Sequence, residues 1–170
     1  MKKAVVYKSK YGATKQYAEW IAKELNCPVF EHSKITPEEL ESCEVVIYGG
    51  GLYAGVINGI KWAKKCDTKK LIIFAIGLTT PETINLETLS KPLPPHAKLF
   101  YFRGKQDSKN LSLPHKLGMK ILKSMLSKKS PQKLTAEEKG ILEALNGDAD
   151  FTDKSAIQPL INYVRSEIHE

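Results

Sequence analysis

The chain has 170 residues, 42% hydrophobic and 26% charged, a balance that fits one globular domain, 1–170, with a core large enough to need no staples. No apolar run approaches the ~18 residues needed to cross a bilayer, and MKKAVVYKSK passes into a strand pattern without a small-residue cleavage site, so a cytoplasmic protein is expected. The net charge of +7 is unevenly placed: Lys98 to Lys139 holds eleven basic and three acidic residues, while the other 128 positions nearly balance.

A first strand is expected at Lys3–Tyr7, followed by the turn SKYGAT, Ser9–Thr14. The turn opens an amphipathic helix, Thr14–Leu25, with Tyr17, Ala18, Ile21, Ala22 and Leu25 on one face. A strand that feeds a hydroxyl- and glycine-bearing turn at a helix start suits an anion, because the first helical N–H groups lack carbonyl partners and carry the positive end of the helix dipole. Ser9 and Thr14 offer hydroxyls, Lys10 a charge and Gly12 a backbone free of Cβ clash. Neither a GxxxxGK[ST] loop nor a GxGxxG fingerprint is present, and an ordinary turn that binds nothing is the alternative.

Further strands are expected at Pro28–His32, Glu44–Tyr48, Leu71–Ile76 and Lys98–Phe102. AVVY, VVIY and LIIF are continuous apolar runs, as in strands covered by helices on both faces. Between them, Thr36-Pro37-Glu38-Glu39 reads as a capped helix start, Asn58–Lys65 as a short helix, and Pro81–Leu89 as one more. Alternating strands and helices imply a parallel sheet with order 2-1-3-4-5, whose ligands sit beyond the strand carboxyl ends. Three loops would meet there: Ser9–Thr14, the segment GGGLYAGVING at Gly49–Gly59, and Gly77–Glu82. Tyr53 in the second could stack on a flat ring, with a merely flexible connection as the alternative.

Cys27, Cys43 and Cys66 have neither CxxC nor zinc spacing, and His32, His96, His115 and His169 share no ligand spacing, so no metal site is expected. No catalytic side chain is assigned.

On YKSKYGATKQYAEWIAKEL, VVIYGGGLYAG and FAIGLTT, the first ~105 residues resemble the flavodoxin superfamily. The resemblance implies an α/β three-layer sandwich and bound FMN. Its phosphate would lie on Ser9, Lys10, Tyr11, Gly12, Ala13 and Thr14, and its ring between Gly50, Gly51, Leu52, Tyr53, Ala54 and Gly55 on one side and Gly77, Leu78 and Thr79 on the other. Gly104 and Asp107, after the fifth strand, would border the flavin. Tyr11 stands where the [S/T]-x-T-G-x-T loop of the family has its middle Thr, the surface is basic where electron-carrying flavodoxins are acidic, and GLTTPE has no aromatic residue.

After FRGKQD comes SLPHKLGMKILKSMLSKK and then a polar stretch before a last helix at Thr152–Ile168. This insertion, about 105–153, is similar to that of the menaquinone-dependent protoporphyrinogen dehydrogenases, which implies a quinone or porphyrinogen as partner; a redox partner protein fits an electron carrier instead. Leu117, Ile121, Leu122, Met125 and Leu126 would form one apolar helix face, with Lys116, Lys120, Lys123, Lys128 and Lys129 around it. That face is expected to pack on the sheet, and the alternative is a surface for a carboxylate-bearing tetrapyrrole or for anionic lipid at the inner face of the membrane. Nucleic acid is not expected, since no reading motif is present. A flavin-free binding or regulatory module on the same fold is the competing function.

Overall fold

A computed structural model describes residues 2–106, 112–146 and 149–166. Five parallel strands form the main sheet: β1 (Lys3–Lys8), β2 (Val29–Glu31), β3 (Val45–Tyr53), β5 (Lys70–Gly77) and β6 (Lys98–Arg103), in the order β2-β1-β3-β5-β6. The two-residue β4 (Val56–Ile57) folds back antiparallel on β3. Counted over the parallel strands alone, the order is the expected 2-1-3-4-5.

The register sets Val5 beside Ile47 and Ile47 beside Ile72, and alternation sends neighbouring residues to opposite faces. On one face, α1 (Ala13–Leu25) and α6 (Gln158–Ser166) bring Tyr17, Ile21, Leu160, Ile161 and Val164 against Val5, Ile47 and Phe74. On the other, Ala63 of α2 (Ile60–Ala63) and Leu89 of α3 (Leu86–Ser90) pack with Val6, Val46, Tyr48 and Ile73. The sheet is thus the middle of three layers, which is why its strands are apolar throughout.

Three local expectations change. The glycine run continues as strand: β3 reaches Tyr53, because a Cβ on Gly49 would fall 2.0 Å from the Phe74 ring and only glycine lets β3 and that ring share the space. At Thr36-Pro37-Glu38-Glu39 the back half of a capping box forms, with the Thr36 N–H donating to Glu39 Oε2 at 2.8 Å, but only a 3-10 turn follows, Glu38–Leu40. The last helix is preceded by its own 3-10 turn, Lys154–Ile157, started by Asp153, whose carboxylate accepts from the Ser155 N–H at 2.8 Å.

The insertion leaves and returns on one two-stranded ribbon, β7 (Lys105–Gln106) paired antiparallel with β8 (Ala149–Asp150). Beyond the ribbon stand α4 (Leu113–Ser127) and α5 (Ala136–Leu145), the latter begun by a complete capping box between Thr135 and Glu138. Tyr17 ties the ribbon base to α1: its hydroxyl donates to the Arg103 carbonyl at 2.8 Å and accepts from the Asp153 N–H at 3.0 Å. The Phe151 N–H donates to the Gly104 carbonyl, and the Arg103 guanidinium lies 3.7 Å from the Phe151 ring centroid.

The α4 face predicted to pack on the sheet does not do so. Leu126 alone among its apolar residues is buried, while Leu117, Ile121, Leu122 and Met125 stay exposed. The ribbon lifts α4 above the carboxyl end of the sheet, so its inner side meets the loops there instead of a strand surface. Among the described residues no helix is long and apolar enough to cross a membrane.

Candidate functional site

A cleft of about 440 Å³ opens at the carboxyl ends of β1, β3, β5 and β6, within the size range of cofactor and ligand pockets. Its floor and walls come from the three expected loops. The turn after β1 contributes Lys10, Tyr11, Ala13 and Thr14, the end of β3 contributes Gly51, Leu52, Tyr53 and Ala54, and β5 ends in Ile76, Gly77 and Leu78. Gly104 and Lys105 close the fourth side, and Pro114, His115, Gly118, Met119 and Leu122 of α4 form the roof.

At one end of the cleft, α1 starts without a side-chain cap on its N-terminal N–H groups. Gly12 holds φ +89°, a left-handed conformation that aims the following N–H groups outward, and its own N–H donates to Ser9 Oγ at 3.1 Å. Ser9 therefore shapes the turn. The Lys105 ammonium reaches this turn from the ribbon: Nζ lies 3.7 Å from where a Cβ on Gly12 would sit. With Lys10 it gives the helix start two flexible cations, a setting that favours a phosphate.

At the other end are three rings. Tyr11 hydrogen-bonds through its hydroxyl to His115 Nδ1, with the two rings edge to face at 5.7 Å. Tyr53 lies 5.4 Å from the same imidazole. Burial, with the neighbouring Tyr11 adding to it, pushes the Tyr53 phenol up to about 12, so it stays a neutral hydrogen-bonding group at ordinary pH. The residue that replaces the family's middle Thr has thus become part of the aromatic end. GLTTPE brings no ring, and the rings come from Tyr11, Tyr53 at the end of β3 and His115 of the inserted helix.

The third loop is pinned by its backbone. The Leu78 carbonyl accepts from Arg103 Nε at 3.0 Å, the Thr79 carbonyl from the Tyr101 hydroxyl at 2.9 Å, and the Gly77 carbonyl from the Gly104 N–H at 2.7 Å. Burial holds the Tyr101 phenol up at about 12 despite that hydrogen bond, which keeps the donor protonated.

Of the residues singled out from sequence, Lys10, Tyr11, Ala13, Thr14, Gly51, Leu52, Tyr53, Ala54, Gly77, Leu78 and Gly104 line the cleft. Ser9, Gly12, Gly50, Gly55 and Thr79 stand behind it or beside it; a Cβ on Gly50 would lie 2.5 Å from the Asn58 carbonyl oxygen, so that glycine serves the β3–β4 hairpin. Asp107 lies outside the described residues. Sequence reading assigned no site role to Ile76, to Lys105 on the ribbon, or to Pro114, His115, Gly118 and Met119, which the helical pattern placed on α4 with no sign that they reach the cleft. Among the described residues no group of His, Cys, Asp and Glu could hold a metal ion.

A flavodoxin-domain family model matches residues 4–133. No curated protein sequence matches the chain. Solved structures similar to it include a flavodoxin from the domain Archaea, at 20% identity over 71% of this chain and 96% of that one, with a TM-score of 0.46. Oxidised Flavodoxin 2 from Bacillus cereus shows 16% identity over 65% and 90%, with a TM-score of 0.43. A flavoprotein in complex with FMN from Lactobacillus acidophilus NCFM shows 12% over 60% and 91%, with a TM-score of 0.44. The family match takes in well over half of the chain, from β1 through the glycine strand and into the insertion, and by it the chain belongs to the flavodoxin-domain family.

Proposed function

We propose that the cleft binds FMN and that the protein is a flavoprotein oxidoreductase. The observation that carries this is that one cleft joins an uncapped helix start, reached by Lys105, with a cluster of aromatic rings. A phosphate suits the first and a flat conjugated ring the second. The size and the mainly apolar lining of the cleft fit the cofactor, and membership of the flavodoxin-domain family supports it.

FMN, when bound, supplies one- and two-electron chemistry. The chain's own residues have narrower tasks. The helix start and Lys105 hold the phosphate, the pinned Gly77–Thr79 loop and Tyr53 orient the ring, and the α4 roof excludes water. His115, hydrogen-bonded to Tyr11 through Nδ1, holds that ring in place in the cleft.

That roof favours a small substrate over a docking electron carrier, because Met119, Leu122 and His115 line the cleft and limit the room for a protein surface to reach its floor. A flat, apolar quinone or porphyrinogen, as in the menaquinone-dependent protoporphyrinogen dehydrogenases that the insertion resembles, is the substrate class we propose.

Titration of FMN with the protein should quench flavin fluorescence, and riboflavin, which lacks the phosphate, should bind at least ~10-fold more weakly. Absence of quenching would sink the cofactor reading and leave the flavin-free module. A flavin-loaded protein that a flavodoxin reductase reduces rapidly, yet that fails to oxidise protoporphyrinogen with a quinone acceptor, would be a carrier.

A further inference from the structure

Helix α4 has two working sides. Pro114, His115, Gly118, Met119 and Leu122 face the cleft, whereas Leu113, Leu117, Ile121 and Met125, spaced four residues apart, form a continuous outward row. These four are 81%, 60%, 51% and 62% exposed. Single exposed leucines need no explanation, but a row along the whole length of a 15-residue helix, about 22 Å, is a surface. Lys116, Lys120 and Lys123 follow the same periodicity along the edge beside it, and no acidic residue occurs between Ser112 and Lys129. Lys129 is matched by Glu138 of α5. Val56, 60% exposed, stands at the tip of the β3–β4 hairpin at the same end of the sheet.

We propose that this outward face of α4 docks the protein on an anionic lipid surface. The row would sink into the boundary between headgroups and acyl chains while the neighbouring lysines meet lipid phosphates. The charge decides among occupants. A second copy set face to face would bring two rows of lysines together, which repels. Nucleic acid would neutralise the lysines but leave the leucines in water. An anionic bilayer satisfies both halves of the surface. Since the opposite side of the same helix roofs the cleft, docking would place the lipid on the outer side of that roof. The docking itself does not depend on the flavin.

The test is flotation of the full chain with vesicles of phosphatidylcholine alone and of phosphatidylcholine mixed with phosphatidylglycerol, at low and high salt, without added flavin. Two variants, Leu117→Glu with Ile121→Glu and Lys120→Glu with Lys123→Glu, are compared after circular dichroism and thermal melting establish that each is folded like the wild type. The wild type should float with the phosphatidylglycerol vesicles and weaken as salt screens the contact, and each variant should bind about tenfold less or worse. The proposal is overturned if the wild type stays in the pellet fraction, floats equally with neutral vesicles, or is matched by either folded variant. It is also overturned if sedimentation velocity finds a dimer that Leu117→Glu with Ile121→Glu dissolves, since the row would then belong to a second copy.

Discussion

Phe74 in β5 and Ile121 in α4 are both large apolar residues, yet the first is fully buried and the second is 51% exposed. The sheet encloses its apolar side chains between two layers of helices, as any core must to offset chain entropy. The insertion buries Leu126, Ala144 and Leu145 but leaves Leu113, Leu117, Ile121 and Met125 exposed, and a ribbon, the Tyr17 bridge and the Arg103–Phe151 contact tie it to the sheet. The difference teaches that apolar pattern alone does not say whether a residue will be enclosed in the core or left on a surface.

Four experiments break or sharpen the contrast. The largest effect belongs to the sheet: Phe74→Ala should lower the unfolding free energy by about 3–5 kcal/mol in urea titrations, through lost burial and the cavity left beneath Gly49. A cost below ~1 kcal/mol would mean that the core is looser than drawn.

Next comes alkaline pH. Burial raises the Tyr48 phenol, and raises the Tyr101 phenol to about 12, against the ordinary value of 10.0. Above that ordinary value the unfolded chain loses these protons while the folded one retains them, so the unfolded state binds fewer protons and stability must fall as pH rises. For Tyr101 this should remove about 1.4 kcal/mol per pH unit between about 10 and about 12, and Tyr48 adds a loss of the same sign. Urea midpoints measured across that window should decline, and Tyr101→Phe should flatten the decline.

A smaller effect tests the junction of sheet and insertion. Lys105→Ala should weaken FMN by about 3- to 10-fold and leave riboflavin unchanged, because only the phosphate sees that ammonium. Equal losses for both ligands would move Lys105 to the ring end. The smallest effect should come from Ile121→Asn, whose thermal stability ought to stay within ~0.5 kcal/mol of wild type, since its side chain already meets water.

The sheet was legible because continuous runs such as AVVY and LIIF have few other uses, and the helix start after β1 because a glycine turn behind a strand leaves N–H groups unpaired. Other features depended on contacts far along the chain. The glycine strand reads as a loop until Phe74, twenty-five positions later, is seen to fill the space above Gly49. The proline-led start at Thr36 had the right cap, but the chain turns into β3 after Leu40 and leaves no room for a second turn of helix. His115 carried no signal, because its partners Tyr11 and Tyr53 lie 104 and 62 positions away. Periodicity placed leucines on faces of α4 but could not tell which face would meet the cleft.

The position of α6 has a consequence in time. Ile157, Leu160, Ile161 and Val164 complete one side of the sheet, yet the ribosome must first make both inserted helices before any of them emerges. Until then that side of the nascent sheet lies open, an adhesive surface of valine, isoleucine and phenylalanine, and conditions that slow translation through the insertion should raise aggregation during synthesis without altering the finished protein.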